Sequence, residues 1–398
     1  MDRLTNTVRP YAWGSVHAIP ALLGVPATGA PQAELWMGAH PGDSSRVDRG
    51  EGPAALNELI AAAPEAELGA ESVAKFGPEL PFLLKVLAAG LPLSIQAHPT
   101  LEQAKAGFAD EEARGVPLEA PHRNYKDANH KPELICALDE FDGLCGFRTP
   151  AEAAALMESL DVPELAPLVE LLRGKPESEA LSAALATVLS MTGETAERTV
   201  AATAAAVERA AAGEDPTGQF GGYAYAAREF PGDTGLLAAL LLNHVRLQPG
   251  EALYLGAGLV HAYLRGTGVE IMANSDNVLR CGLTPKHVDV PELLKVVEFT
   301  ASRPEVMRPA ADASGEQLYP VPIDEFRLSR YALDGTPRTL PGRAPQILLC
   351  TEGTALLTAA DGTELTLATG QSAFLPAAGT GTTLTGESAT VFRATVTL

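Results

Sequence analysis

Two textures alternate along this chain. Over residues 10–147 apolar positions come in short runs broken by Gly and Pro, as at 35–37, 81–87 and 91–95. Runs of that length, bounded by turn residues, predict strands, with a helix over 53–63 as the main exception. After Gly146 the texture changes. Thr149-Pro150-Ala151-Glu152 has the form of a capping box with proline at the first helical position, and Ala-rich text follows to about Ala212. Within it Val200, Ala204, Val207 and Ala211 fall on one helical face, and Gly213 offers a stop. Strand text resumes at Val245, and a helix is expected over 290–299. Residues 303–315, rich in Pro, Ala and Asp, read as a linker. From Ile323 to Leu398 the pattern is β throughout, with Asp361-Gly362 as a hairpin turn between strands 354–358 and 364–368.

These textures divide the chain. Residues 247–261, a Pro-Gly turn and strand leading to His261, have the rhythm of a cupin barrel, and 369–376 repeat it. The expected fold is mainly β with α. A cupin-type jelly-roll barrel is expected from 1–148 and 246–302, with 149–245 as a helical insertion. A second cupin-like barrel over 316–398 contains no histidine and hence no metal site. A chain of 398 residues exceeds what one hydrophobic core usually organises, in keeping with such a division.

Charge narrows the function. Against 50 Asp and Glu stand 29 Lys and Arg, a net charge of −21 that repels nucleic acid and anionic membrane surfaces. Four cysteines without Cys-x-x-Cys spacing suggest neither a disulfide framework nor a thiolate zinc site. With no apolar leader at the N-terminus and no spanning run, the cytoplasm is the expected compartment.

Candidate chemistry gathers in three places. Gln96-Ala97-His98-Pro99, His130-Lys131-Pro132-Glu133 and His261 offer nitrogen and oxygen ligands for one divalent metal. Residues two apart on a strand share a face, so Gln96 and His98 can aim at one point. Such a set suits zinc or another borderline ion with a position left open for substrate. Between Gly268 and Lys286, Glu270 faces away from Val269 and Ile271, and the Asn274-Ser275-Asp276-Asn277 turn can return Arg280 towards the site. The competing reading is a surface salt bridge between Glu270 and Arg280. Lys85, Arg123, Lys126 and Lys131 form a local basic group suited to a phosphate. Of the two tryptophans, Trp36 is expected in the core and Trp13 is open to a sugar-platform role. His40, which lacks a neighbouring Gln, is expected to be structural.

Tyr11 to Ser15, Glu34 to Pro41, Pro92 to Pro99, Tyr125 to Glu133 and Gly268 to Lys286 together resemble type I phosphomannose isomerase, over about residues 1–150 and 245–300. The resemblance implies a zinc-dependent cupin enzyme interconverting mannose 6-phosphate and fructose 6-phosphate through a cis-enediol. It implies one zinc per chain on Gln96, His98, Glu133 and His261, an essential Arg280, and Lys131, Glu270, Ser94, Lys85 and Lys286 around the substrate. Glu270 is the leading base, with Lys131 and a zinc-bound water as rivals. Cys281 and His287 depart from the alanine and tyrosine expected there. A sugar phosphate is the only partner expected, and a monomer the expected state. The alternatives are a non-catalytic metal-bound cupin that binds sugar phosphates, and a cupin Fe(II) oxygenase, against which Gln96 as a fourth ligand argues.

Overall fold

Strand Phe82–Ala89 shows why the first barrel reads as unbroken apolar text. All eight of its residues are buried, because both of its faces are covered. Phe82, Leu84, Val86 and Ala88 pack outward into one core, while Leu83, Lys85, Leu87 and Ala89 point to the barrel interior. The computed structural model describes every residue except Pro216 and Thr380.

The long strand His261–Ala273 organises the metal-bearing barrel. Its first part pairs with Ile95–Ala97 and Phe141–Phe147, and its second part with Phe82–Ala89 and Glu133–Ala137. The ladder shifts between Tyr263 and Arg265, where the strand changes partners. A sheet closing on itself in this way, with Leu279–Gly282 against Ile95–Ala97 and Ala252–Leu255 against Glu133–Ala137, is a cupin-type barrel.

Between Phe141–Phe147 and its partner Leu242–Leu247 the chain leaves the barrel for a run of helices. Pro150–Ser159 carries the expected capping box, with reciprocal bonds between Thr149 and Glu152. In Gly193–Ala211, Val200 and Val207 are buried on the expected face. The helices share one core with Ile95, Ala97, Leu144, Ala262, Leu264 and Leu279 of the barrel wall. Strand resumes at Leu242, three residues before its expected start, because the run Leu240-Leu241-Leu242 is apolar in both elements and carries no turn residue.

Other expectations shift locally. Residues 91–94 form an irregular loop and the strand is Ile95–Ala97. Helix occupies Leu56–Ala62 and Val290–Val296, each shorter than expected. Helices Pro64–Leu68, Ala70–Phe76 and Leu101–Ala113 lie where strand and loop text was read. Leu101–Ala113 buries only Ala104 and Glu111, so it has no apolar stripe to betray it. Met307, in the expected linker, bridges to Ala252 by paired backbone bonds.

In the last third, a six-stranded sheet faces a four-stranded one. Leu348, Leu357, Leu367, Leu384 and Val391 meet between them. The hairpin at Asp361-Gly362 is present, with Gly362 at φ 85° as the turn demands. Strand Asp2–Arg3, at the start of the chain, pairs with Ser372–Leu375 of this sheet and not with the metal-bearing barrel. The two barrels also pack on each other, Leu84, Val86 and Ile271 sharing a core with Phe326, Leu328, Ile347 and Phe392.

Candidate metal centre and active site

Register builds the site. Gln96 lies opposite both His261 and Arg280, and Lys85 lies opposite both Glu270 and Trp36. Directly opposed residues share a face, so these ladders collect five polar side chains and the Trp36 indole on the barrel interior.

At its floor three ligand atoms converge. Glu133 Oε2 stands 3.5 Å from His98 Nε2 and 3.4 Å from His261 Nε2. Gln96 Nε2 is 3.4 Å from His261 Nε2. His98 and His261 are fully buried and Glu133 nearly so. His98 Nε2 and Glu133 Oε2 are buried without a hydrogen-bond partner, which costs free energy unless something binds there. Burial lowers the pKa of His98 to about 4, against the raising effect of Glu133. Burial works against the charge of Glu133 too, but His98 and Lys131 outweigh it and hold the carboxyl well below its ordinary range. A neutral His98 imidazole and a second imidazole beside an ionised carboxylate, with two atoms left without partners, are what a divalent cation of borderline softness requires.

Above the floor opens a cavity of about 590 Å³, within the size range of small-molecule sites. Ser94, Gln96, Lys85, Lys131, Glu133, Glu270, Arg280, Lys286 and Trp13 all line it. On one wall Lys85 Nζ sits 3.2 Å from Glu270 and 3.5 Å from Glu34. Burial opposes its charge, but Glu34, Glu270 and Glu133 together raise its pKa above the ordinary range. Glu270 is pushed up by burial, with Lys85 resisting. Tyr263 donates to Glu270 at 3.0 Å, and burial raises that phenol well above its usual pKa. The rival surface bridge between Glu270 and Arg280 is absent, because Glu270 turns inward to Lys85.

Arg280 is different. Burial alone lowers it, with no acidic group among the described residues counteracting. Lys286 is likewise lowered, by burial and then by Arg280. These two cations face the cavity without a counter-charge, so they have electrostatic capacity left for an anion.

The basic group expected near the metal divides. Lys85 and Lys131 line the cavity, but Arg123 and Lys126 do not. Arg123 is buried against Glu111 and Glu112 and donates to Tyr125 O at 2.7 Å, and Lys126 Nζ reaches Leu118 O. Both tie down the loop after helix Leu101–Ala113. Trp36, expected in the core, is buried yet lines the cavity, with Lys85 Nζ over its ring at 5.4 Å and its Nε1 donating to Glu34 at 2.7 Å. Trp13 is half-buried and stacks on Tyr11. His40 accepts from Gly42 N and packs edge-on against Trp36, a structural role.

Sequence reasoning assigned no site role to Glu34, Tyr263, Glu229 and Phe230, and read Asp276 only as a turn residue; all five are at the cavity. Tyr263 was within reach, being two residues beyond His261 on the same strand face. Glu229 and Phe230 arrive from the end of helix Gln219–Glu229, and no local signal marks them.

A cupin barrel with a His-Glu-His cluster beneath an open cavity defines a metal-site barrel of the kind that handles small polar molecules. The family model for the phosphomannose isomerase type I catalytic domain matches residues 1–150. Mannose-6-phosphate isomerase of Escherichia coli is 41% identical over 97% of each chain. The human enzyme of that name is 34% identical over 89% of this chain and 88% of its own. A crystal structure of Salmonella typhimurium mannose 6-phosphate isomerase bound to fructose 6-phosphate and zinc aligns over the full length of both chains, with a TM-score of 0.92 at 38% identity. The chain belongs to the mannose-6-phosphate isomerase family, type I.

Proposed function

We propose that this chain interconverts mannose 6-phosphate and fructose 6-phosphate, with one zinc ion held by Gln96, His98, Glu133 and His261. The observation that carries the reading is the convergence of His98, Glu133 and His261, two of their atoms orphaned, on the floor of a cavity whose wall holds Lys85, Glu270 and Arg280. Relatives that bear the name of this activity, one of them solved with zinc and fructose 6-phosphate, support it.

Aldose–ketose isomerisation moves a proton between C1 and C2 through a cis-enediol. The chemistry that a divalent cation supplies at such a centre is stabilisation of negative charge growing on the carbonyl oxygen. Proton transfer needs a base on one face of the diol. Glu270 takes that role, since burial raises its pKa towards neutrality and the Lys85 ammonium and Tyr263 hydroxyl fix its orientation. Lys131, 3.3 Å from Glu133, is the rival. Arg280 stays protonated and, lacking a carboxylate partner, answers the developing charge or the phosphate. Lys286 and Ser94 bind the phosphate. Lys85 contacts a sugar hydroxyl, because its charge is already matched by Glu34 and Glu270. Trp13, with Tyr11, offers an apolar platform at the entrance.

A coupled assay on mannose 6-phosphate, before and after chelation with zinc add-back, tests the reading. Activity that survives full metal removal, or a metal-loaded protein that binds sugar phosphate without interconverting the two isomers, would overturn it. Monomeric state and cytoplasmic location belong to the same proposal. Four free, buried cysteines accord with a reducing compartment, and among the described residues no helix is long and apolar enough to cross a membrane.

A further inference from the structure

Asn277 is fully buried, carries no charge and does not line the cavity, yet both polar atoms of its side chain are engaged several times over. Its Nδ2 donates to Asp127 O at 2.9 Å, Asp127 Oδ1 at 3.2 Å and Asn129 O at 2.8 Å. Its Oδ1 accepts from the backbone N–H groups of Lys126 at 2.7 Å and Asp127 at 3.3 Å. Around it, Ser275 Oγ donates to Asp127 Oδ1, the N–H of Asp276 donates to Asp127 Oδ2, and Asn129 Nδ2 donates to Asn274 O. Two loops far apart in sequence are thus knotted together. The proposed base and metal ligands leave this knot without a task.

The task lies in the backbone. Asn277 O is 2.8 Å from His98 Nδ1. A carbonyl can only accept, so Nδ1 must carry the ring proton and Nε2 keeps its lone pair. That Nε2 is the orphaned atom beside Glu133. His261 solves the same problem locally, its Nδ1 donating to Leu259 O at 3.0 Å, two residues earlier in the segment that leads into its strand. His98 has no such local partner and borrows a carbonyl from 179 residues further along the chain.

We propose that Asn277 is a positioning residue for the metal centre: its side chain, locked into loop 126–129, holds its own carbonyl where it selects the Nδ1-protonated tautomer of His98 and fixes the ring's aim. The inference rests on the reading of His98 as a zinc ligand. Partners of this kind behind a ligating histidine typically contribute about 10–100-fold to metal affinity.

Zinc affinity of the full chain, measured by competition with a chromophoric chelator, should fall about 10–100-fold in Asn277→Ala. The same-shaped Asn277→Asp, which loses the three Nδ2 donations but retains an acceptor for Lys126 and Asp127, should show the same direction and guards against a variant that fails to fold. In the unsubstituted, zinc-free protein, long-range proton–nitrogen NMR correlation should show His98 protonated at Nδ1, and in Asn277→Asp a mixture of tautomers. A merely structural role would lower thermal stability without altering that spectrum. Unchanged zinc affinity in both variants, or His98 protonated at Nε2 in the unsubstituted protein, would overturn the inference alone. An unsubstituted chain that binds no zinc would instead overturn the reading of the centre itself.

Discussion

The two barrels of this chain use one framework for opposite purposes. In the C-terminal barrel the facing sheets meet through Leu348, Leu357, Leu367, Leu384 and Val391, all fully buried, and the interior is a packed core. In the first barrel the equivalent space holds Lys85, Gln96, Glu133 and Glu270 around an open cavity, with His261 in the cluster at its floor. Charged groups in a barrel are costly unless paired or bound. Here Lys85 sits between two carboxylates, and Glu133 lies between two imidazoles with an atom left over. The apolar ring that this barrel gives up is recovered outside it. Its wall is packed on one side by the helical insertion and on another by the second barrel. A partly polar interior, in which Leu87, Ala89, Ile135 and Phe141 still pack together, is tolerable because the exterior carries most of the core.

The contrast can be broken from either side. The largest effect is expected at the floor of the cavity. Glu133→Ala should lower kcat/KM on the order of 10³-fold or more and abolish stoichiometric zinc, since it removes the only carboxylate in the cluster. Zinc retained by that variant, measured by metal analysis after dialysis, would contradict the proposed ligand set. On the wall, Glu270→Gln should cost turnover about 10²–10⁴-fold with little change in bound zinc. Near-normal turnover would move the base role to Lys131 or to a zinc-bound water.

From the other side, Leu367→Ala in the second barrel should lower unfolding stability by about 2–5 kcal/mol while leaving kcat unchanged at a temperature where the protein stays folded. A fall in kcat parallel to stability would mean that the two interiors are coupled. Arg280→Lys retains the charge but loses the planar fork, and should cost roughly 10²-fold in kcat/KM.

The smallest effect is expected at the contact between the barrels, where His130, one residue before Lys131, meets Glu325 at 2.8 Å. This hydrogen bond, with burial opposing, holds the Glu325 carboxyl below its ordinary pKa. Its stabilisation is therefore present above the ordinary carboxylate pKa and is lost as pH falls through the depressed one. Glu325→Gln should cost under about 1 kcal/mol near neutrality, and the difference from the unsubstituted chain should vanish in acid. Thermal melts across pH measure it, and a difference that persists at low pH would place the contribution in packing.

Much of the site was readable because it is written in short-range terms. Gln96 lies in strand Ile95–Ala97 and His98 one residue past its end, close enough for the two-residue spacing to place both at the site; Glu270 stands out polar among Val269, Ile271 and other apolar neighbours, and Thr149-Pro150-Ala151-Glu152 spells a helix start whose bonds the fold contains. The basic group near the metal was misread for the converse reason. Arg123 and Lys126 are near Lys131 in sequence, but carbonyls of their own loop and carboxylates of helix Leu101–Ala113 consume them. Helix Leu101–Ala113 escaped because its buried face is almost blank.

The residues alone determined the alternation of strand and helix, the absence of thiolate ligands, the missing histidines of the second barrel and the identity of every proposed ligand. Tertiary structure decided which cations are spent and which are free: Lys85 is matched by Glu34 and Glu270, whereas Arg280 is left without a counter-charge. It also decided where the first strand belongs, that Trp36 faces the cavity, and that His98 takes its carbonyl from Asn277. The reason is physical. Period and capping act over a few residues, while electrostatic neutralisation and hydrogen-bond satisfaction depend on which groups share a volume, and that is set by pairing between strands more than a hundred residues apart.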